Sequence, residues 1–140
     1  MVAGTLAGLA AVVGHNWSIF LDFNGGRGLS PFIGALLVIF PLGCLWIAVF
    51  LIVGFVLGDS APWALASLIF LPLLVGWKGA EPVVDWAALG MVLVTLAKRL
   101  EANRRSLPEG RGERWKVIVL RLLFDRDIAS HKEWINRIPD

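Results

Sequence analysis

The sequence predicts an all-α fold: a polytopic transmembrane helical bundle of about four helices after a partial N-terminal one, with an amphipathic tail on the cytoplasmic side. Three observations carry this. Hydrophobic residues make up 57% of the 140 residues, and tyrosine is absent, the balance of a chain solvated largely by lipid. Apolar runs are separated by short Gly/Pro/Asp punctuation rather than by long polar linkers. Basic residues crowd one end: of the 13 Lys and Arg, only Arg27 and Lys78 precede Lys98. That excess places the tail of a multi-pass membrane protein in the cytoplasm, beside anionic lipid headgroups.

Residues 2–13 are apolar and rich in Gly and Ala, about a dozen residues against the roughly 20 needed to span a bilayer. They read as the last part of a helix, so the chain is expected to begin inside a larger fold. The run from Phe32 to Leu57 is apolar throughout but holds Pro41 and Gly43, a pair that breaks helices. It reads either as one kinked helix or as two, about 32–40 and 43–57. Parity favours the split, because a loop and a tail on one side of the membrane need an even number of crossings between them. Gly58-Asp59-Ser60-Ala61-Pro62 makes a turn, with Pro62 placed to open the next helix. Apolar residues 63–76 follow, then a polar break from Trp77 to Asp85, then a helix of about 84–97. Residues 1–100 thus form the membrane domain, and 101–140 a basic tail. Within the tail, Asn103 to Glu113 reads as a loop. Trp115, Ile118, Val119, Leu122 and Leu123 fall at helical spacing in 114–124, with Arg114 and Arg121 to one side. This segment is predicted to lie on the membrane surface.

The chemistry concentrates in a glycine-rich loop at 24–30, just after Gly14-His15. Gly25, Gly26 and Gly28 flank Arg27, and such a run lets backbone N–H groups turn toward one point, a nest suited to phosphate oxygens. Arg27 adds a planar, permanently charged fork. His15 is the side chain best matched to proton transfer near neutral pH, and its plainer role is to cap a helix end. Ser18 and Ser30 read as cap or turn residues. Asp59, Glu81 and Asp85 read as solvated loop charges, and Trp77 and Trp86 as interfacial anchors. Lys78 reads as a headgroup contact, and His131 as an inert tail residue. The single cysteine, Cys44, lies in an apolar run and reads as a buried thiol. No metal-ligand spacing stands out, and neither metal nor cofactor is expected. Acids interleaved through the tail make nucleic acid a poorer partner than lipid.

Taken together, Gly14-His15, Phe20-Leu21-Asp22-Phe23 and Gly25-Gly26-Arg27-Gly28 resemble the bacterial acyl-phosphate:glycerol-3-phosphate acyltransferases, the PlsY family of integral membrane enzymes. That family carries Gly-His, Phe-x-x-Phe and Gly-Gly-Lys-Gly in this order, and the resemblance covers about residues 5–100. It implies acyl transfer from acyl-phosphate to glycerol 3-phosphate in phospholipid synthesis. Gly25, Gly26, Arg27 and Gly28 would then hold the acceptor phosphate, with His15 and Asn103 catalytic. Asn103, Leu107 and Gly110 fit the family's third motif. Leu100 and Ser106 stand where that motif has His and Arg, with Arg99 and Arg105 each one position away. The family's first motif has no counterpart in this sequence. Two other readings remain: a non-catalytic membrane protein that binds phosphate or anionic lipid, and a helical subunit of a larger membrane complex.

Overall fold

A computed structural model describes residues 2–102, 105–130, 133 and 136. Among them every regular element is helical: α1 Val2–Asn16, a 3-10 turn Ile19–Leu21, α2 Leu29–Ile39, α3 Pro41–Val56, α4 Ser60–Trp77, α5 Pro82–Glu101 and α6 Arg111–Phe124. The all-helical expectation holds. Two stretches, Val2–Leu21 and Ser60–Trp77, are long and apolar enough to cross a membrane.

The first of these corrects the sequence reading, which stopped the segment after about a dozen residues. His15 and Asn16 are polar but do not break the helix, because their carbonyls find partners beyond it. Gly26 N–H donates to the His15 carbonyl (3.1 Å) and Gly25 N–H to that of Asn16 (3.2 Å), closing orphan acceptors at the helix end.

The split at Pro41 is borne out. Phe40 leaves the helix at φ −159°, ψ 76°, and Pro41 opens α3 at its first position, where a missing N–H costs nothing. The short α2 therefore runs out and α3 returns. Cys44 is only half-buried, and its thiol donates to the Ile33 carbonyl across this joint (3.3 Å). Trp46 donates to the Ser67 carbonyl (2.9 Å) and ties α3 to α4.

Contacts at the helix ends fix the succession. Arg99, near the end of α5, reaches the Ala61 carbonyl at the start of α4. Arg27, just before α2, reaches the Lys98 carbonyl of α5. The end of α1, the starts of α2 and α4, and the ends of α3, α5 and α6 thus gather together, with four helices between the glycine loop and the tail. Val12, Phe32, Leu36, Leu71, Val75 and Met91 form the buried centre. Leu45, Val49, Ile52 and Val56 stay exposed along one face of α3, an apolar stripe at helical spacing.

In the tail the helix starts at Arg111, three residues before the position read from sequence. Arg121, which the sequence groups with Arg114 on a polar side, is instead buried. It pairs with Asp127 (2.6 Å) and donates to the carbonyls of Leu100, Arg105 and Ser106. The charge survives burial because every direction of the guanidinium meets an acceptor.

Candidate functional site

The glycine loop lies across the end of α1, and contact explains its composition. A Cβ on Gly25 would strike the His15 and Asn16 carbonyls, and one on Gly26 the His15 imidazole. Gly28 sits at φ 73°, where a Cβ would also meet Asn16 Oδ1 at 2.6 Å and Val12 Cγ1 at 2.7 Å. The chain also takes positive φ at Asp22 (49°) and Phe23 (65°) as it enters the loop.

Two of the amides assigned to the nest are engaged elsewhere, since those of Gly25 and Gly26 cap α1. The amides of Arg27, Gly28, Leu29 and Ser30 have no hydrogen-bond partner among the described residues. They mark the N-terminus of α2, where unpaired donors and the helix dipole both favour an anion.

Arg27 stands at this terminus. Its Nη1 donates to the Lys98 carbonyl (3.1 Å) and its Nε pairs with Asp125 Oδ2 (2.9 Å). Nη2 makes no hydrogen bond among the described residues, so the fork is oriented and keeps donors for a further acceptor. Below the loop, Lys98 is fully buried. Its ammonium bonds Glu101 (2.8 Å) and the Phe23 carbonyl (3.4 Å) and lies 5.2 Å from the Trp17 ring centre. Trp17 in turn donates to Glu101 (3.1 Å). This cluster pins the loop to α5.

Arg99 donates to the Leu122 and Leu123 carbonyls (2.6 and 3.0 Å) and to that of Ala61 (2.7 Å), bridging the end of α6 to the start of α4. Asp59 is not the solvated charge read from sequence. It caps α4 at Ala61 N–H and pairs with Arg126 (2.7 Å). Lys98, Arg126 and Arg27 therefore each have a carboxylate in contact, whereas Arg99 contacts only carbonyls among the described residues. Among these four cations and the three carboxylates they meet, one positive charge is in excess.

Two neighbouring cavities open here. The inner one, about 230 Å³, is lined both by the polar Arg27, Thr95, Arg99 and Asp125 and by the apolar Leu29, Leu51, Leu68 and Met91. The outer one, about 420 Å³, is lined by Arg27, Asp59, Ser60, Phe124, Asp125 and Arg126. Buried and unpartnered among the described residues are Thr5 Oγ1 in α1 and, nearer the loop, Asn16 Nδ2 and Oδ1, Thr95 Oγ1 and Asp125 Oδ1, and such atoms in a native fold call for a functional or solvent partner. Sequence reasoning singled out Gly25, Gly26, Arg27, Gly28 and His15, which the structure brings together. It missed Asn16, Lys98 and Asp125. Asn103 and His131 lie outside the described residues.

Fold and site together define a helical protein with membrane-length apolar helices and a cationic, amide-lined mouth suited to an anionic head with an apolar chain. A family model described as glycerol-3-phosphate acyltransferase matches residues 1–110. The chain is 33% identical over 141 residues to glycerol-3-phosphate acyltransferase 5 of Dehalococcoides mccartyi, covering 94% of this chain and 59% of that protein. It is 35% identical over 108 residues to the glycerol-3-phosphate acyltransferase of Allorhizobium ampelinum, covering 76% and 51%. Over a shorter stretch of 41 residues it is 61% identical to glycerol-3-phosphate acyltransferase 2 of Moorella thermoacetica, 29% of this chain and 21% of that protein. The chain belongs to the glycerol-3-phosphate acyltransferase family. It spans roughly half to three fifths of the length of these first two relatives. No solved structure matches it.

Proposed function

We propose that this chain carries the phosphate-binding part of an acyltransferase that moves an acyl group from acyl-phosphate to glycerol 3-phosphate in phospholipid synthesis. One observation supports this above the rest: Arg27 is held by Lys98 and Asp125 at the start of α2, beside Arg99 and at the mouth of a partly apolar cavity. The acceptor phosphate binds the Arg27 guanidinium, at Nη2 and at the Nε that Asp125 holds in its absence, and the amides of Arg27, Gly28, Leu29 and Ser30. Gly25 and Gly26 serve by shaping the turn and sealing α1. The acceptor hydroxyl oxygen attacks the acyl carbonyl carbon, the bond from that carbon to the phosphate oxygen breaks, and phosphate leaves with the electron pair. The surplus cation stabilises the charge that develops on the leaving group. His15 orients the hydroxyl and takes its proton; Asn103 keeps the contact role that the family's third motif implies. No metal or cofactor is required by this scheme.

In the same reading the chain is a multi-pass protein of the bacterial cell membrane, with the glycine loop and tail on the cytoplasmic side. The exposed stripe of α3 faces lipid. On α6, a turn of 100° per residue puts Trp115, Val119 and Leu123 on one exposed stripe, with Arg111 and Lys116 on its two borders. That pattern suits an anionic headgroup layer. Buried Arg99, Arg121 and Arg126 bond this chain's own carbonyls and carboxylates, which disfavours nucleic acid as a partner.

The test is acyl-phosphate-dependent acylation of glycerol 3-phosphate by membranes containing the protein. Arg27→Ala is expected to raise KM for glycerol 3-phosphate about tenfold or more, the worth of one charge-assisted contact. An unchanged dependence on glycerol 3-phosphate would overturn the phosphate role. Binding without turnover would support the non-catalytic reading.

A further inference from the structure

Asp125 lies beyond residues 1–110 that the family model matches, yet its carboxylate stands inside the site. It follows the last turn of α6 at φ 57°, held by its own N–H to the Arg121 carbonyl (3.0 Å). Arg99 grips the carbonyls of Leu122 and Leu123, three and two residues before it, and Arg126 next to it binds Asp59, so the backbone is fixed on both sides. The side chain lines both cavities.

We propose that Asp125 is the resident counter-anion of Arg27: it occupies the guanidinium until a phosphate monoester displaces it, and so sets how tightly the site binds anions. The inference rests on the phosphate seat proposed above. Asp125 Oδ2 takes the Arg27 Nε position (2.9 Å), the approach that an incoming phosphate oxygen would also use. The other oxygen, Oδ1, is buried and accepts nothing among the described residues. Half of the carboxylate is thus desolvated without return, and burial pushes its pKa up despite Arg27 and Arg99. A phosphate dianion brings more oxygens to the same guanidinium and to the α2 amides, so the exchange favours the ligand. The outer cavity of about 420 Å³ gives the displaced side chain room to turn without moving α6.

Competition of this kind has a definite signature. An occluded site raises the dissociation constant of every anion by the same factor, because it reduces the competent fraction and touches nothing on the ligand. A residue that instead reads the glycerol hydroxyls would alter glycerol 3-phosphate and leave inorganic phosphate alone.

The experiment titrates inorganic phosphate and glycerol 3-phosphate into the purified protein, Asp125→Asn and Asp125→Gly. Asn and Gly both accept positive φ, so the cap of α6 is kept, and circular dichroism checks the helix content. Both dissociation constants are expected to fall by a common factor of about five, at least as far in Asp125→Gly as in Asp125→Asn. Constants unchanged or raised would overturn the inference, as would weaker glycerol 3-phosphate binding with phosphate unaltered. In either case the wild-type protein still binds, and the phosphate seat stands. If neither ligand binds the wild type or the variants at millimolar concentration, the seat itself is wrong and both proposals fall.

Discussion

Gly28→Ala tests whether the glycine loop is set by contact with α1 or only by backbone conformation. Gly28 and Gly58 both hold positive φ, at 73° and 85°. They differ in surroundings: a Cβ at Gly58 meets nothing within 4 Å, whereas at Gly28 it meets Asn16 Oδ1 at 2.6 Å and Val12 Cγ1 at 2.7 Å. Alanine at Gly58 therefore pays only the left-handed backbone term, about 1–2 kcal/mol. Alanine at Gly28 pays that term and an overpacking cost of about 1–3 kcal/mol against two buried side chains. The sum is about 2–5 kcal/mol, and the excess over Gly58→Ala isolates the contact. Gly112→Ala, with open space inside α6, is the control, expected to be neutral or to stabilise by up to about 1 kcal/mol. Denaturant unfolding of the three variants in detergent micelles, followed by circular dichroism, supplies the numbers. Equal losses at Gly28 and Gly58 would refute the close approach of the loop to α1.

Three further outcomes follow from the same contacts. Lys98→Met removes the buried ammonium that bonds Glu101 and the Phe23 carbonyl, and should cost about 2–3 kcal/mol, less than a fully buried pair because Glu101 reaches solvent. Adding Glu101→Gln should restore part of that loss, and a fully additive double mutant would speak against the pair. Arg99→Gln removes the fork that joins Ala61 to Leu122 and Leu123, so α6 should become open to proteolysis while α3 and α4 stay resistant; equal protection of α6 would contradict its docking role. The Asp125 carboxyl is raised above its ordinary 3.8, with burial the leading cause. Its contribution to stability is therefore fullest below pH 3.8 and is lost as pH rises through the raised value. Wild type should lose stability relative to Asp125→Asn across that rise, and a gain over the same range would contradict the sign.

Much of the helical order was legible because local chemistry decides it. Pro41 cannot continue the hydrogen-bond ladder of α2, so the apolar run had to divide there. Gly58 to Pro62 and the polar break before α5 are punctuated by the same backbone rules. The loop was legible through its glycines and Arg27, although the reason for the glycines was not. Their spacing suggests a nest, whereas two of their amides are taken by the carbonyls of His15 and Asn16, a partnership only the returning chain can create. Asp59, Arg121 and Lys98 look like ordinary solvated charges in the sequence. They are drawn inward because helix ends from distant parts of the chain meet at one place: Arg121 and Lys98 donate to carbonyls left open there, and Asp59 accepts from the Ala61 amide and pairs with Arg126. Asp125 carries no local signal at all, since nothing near it in sequence announces that Arg27 will stand 2.9 Å away.

The phosphate seat on α2 is tested most directly by amide hydrogen exchange, resolved to single residues, with and without glycerol 3-phosphate. Gly25 and Gly26 are already bonded to α1 and should exchange slowly in both conditions. Slowed exchange on adding glycerol 3-phosphate is expected at Arg27, Gly28, Leu29 and Ser30, and it should vanish in Arg27→Ala. Binding of glycerol 3-phosphate with no change at those four amides would contradict the seat.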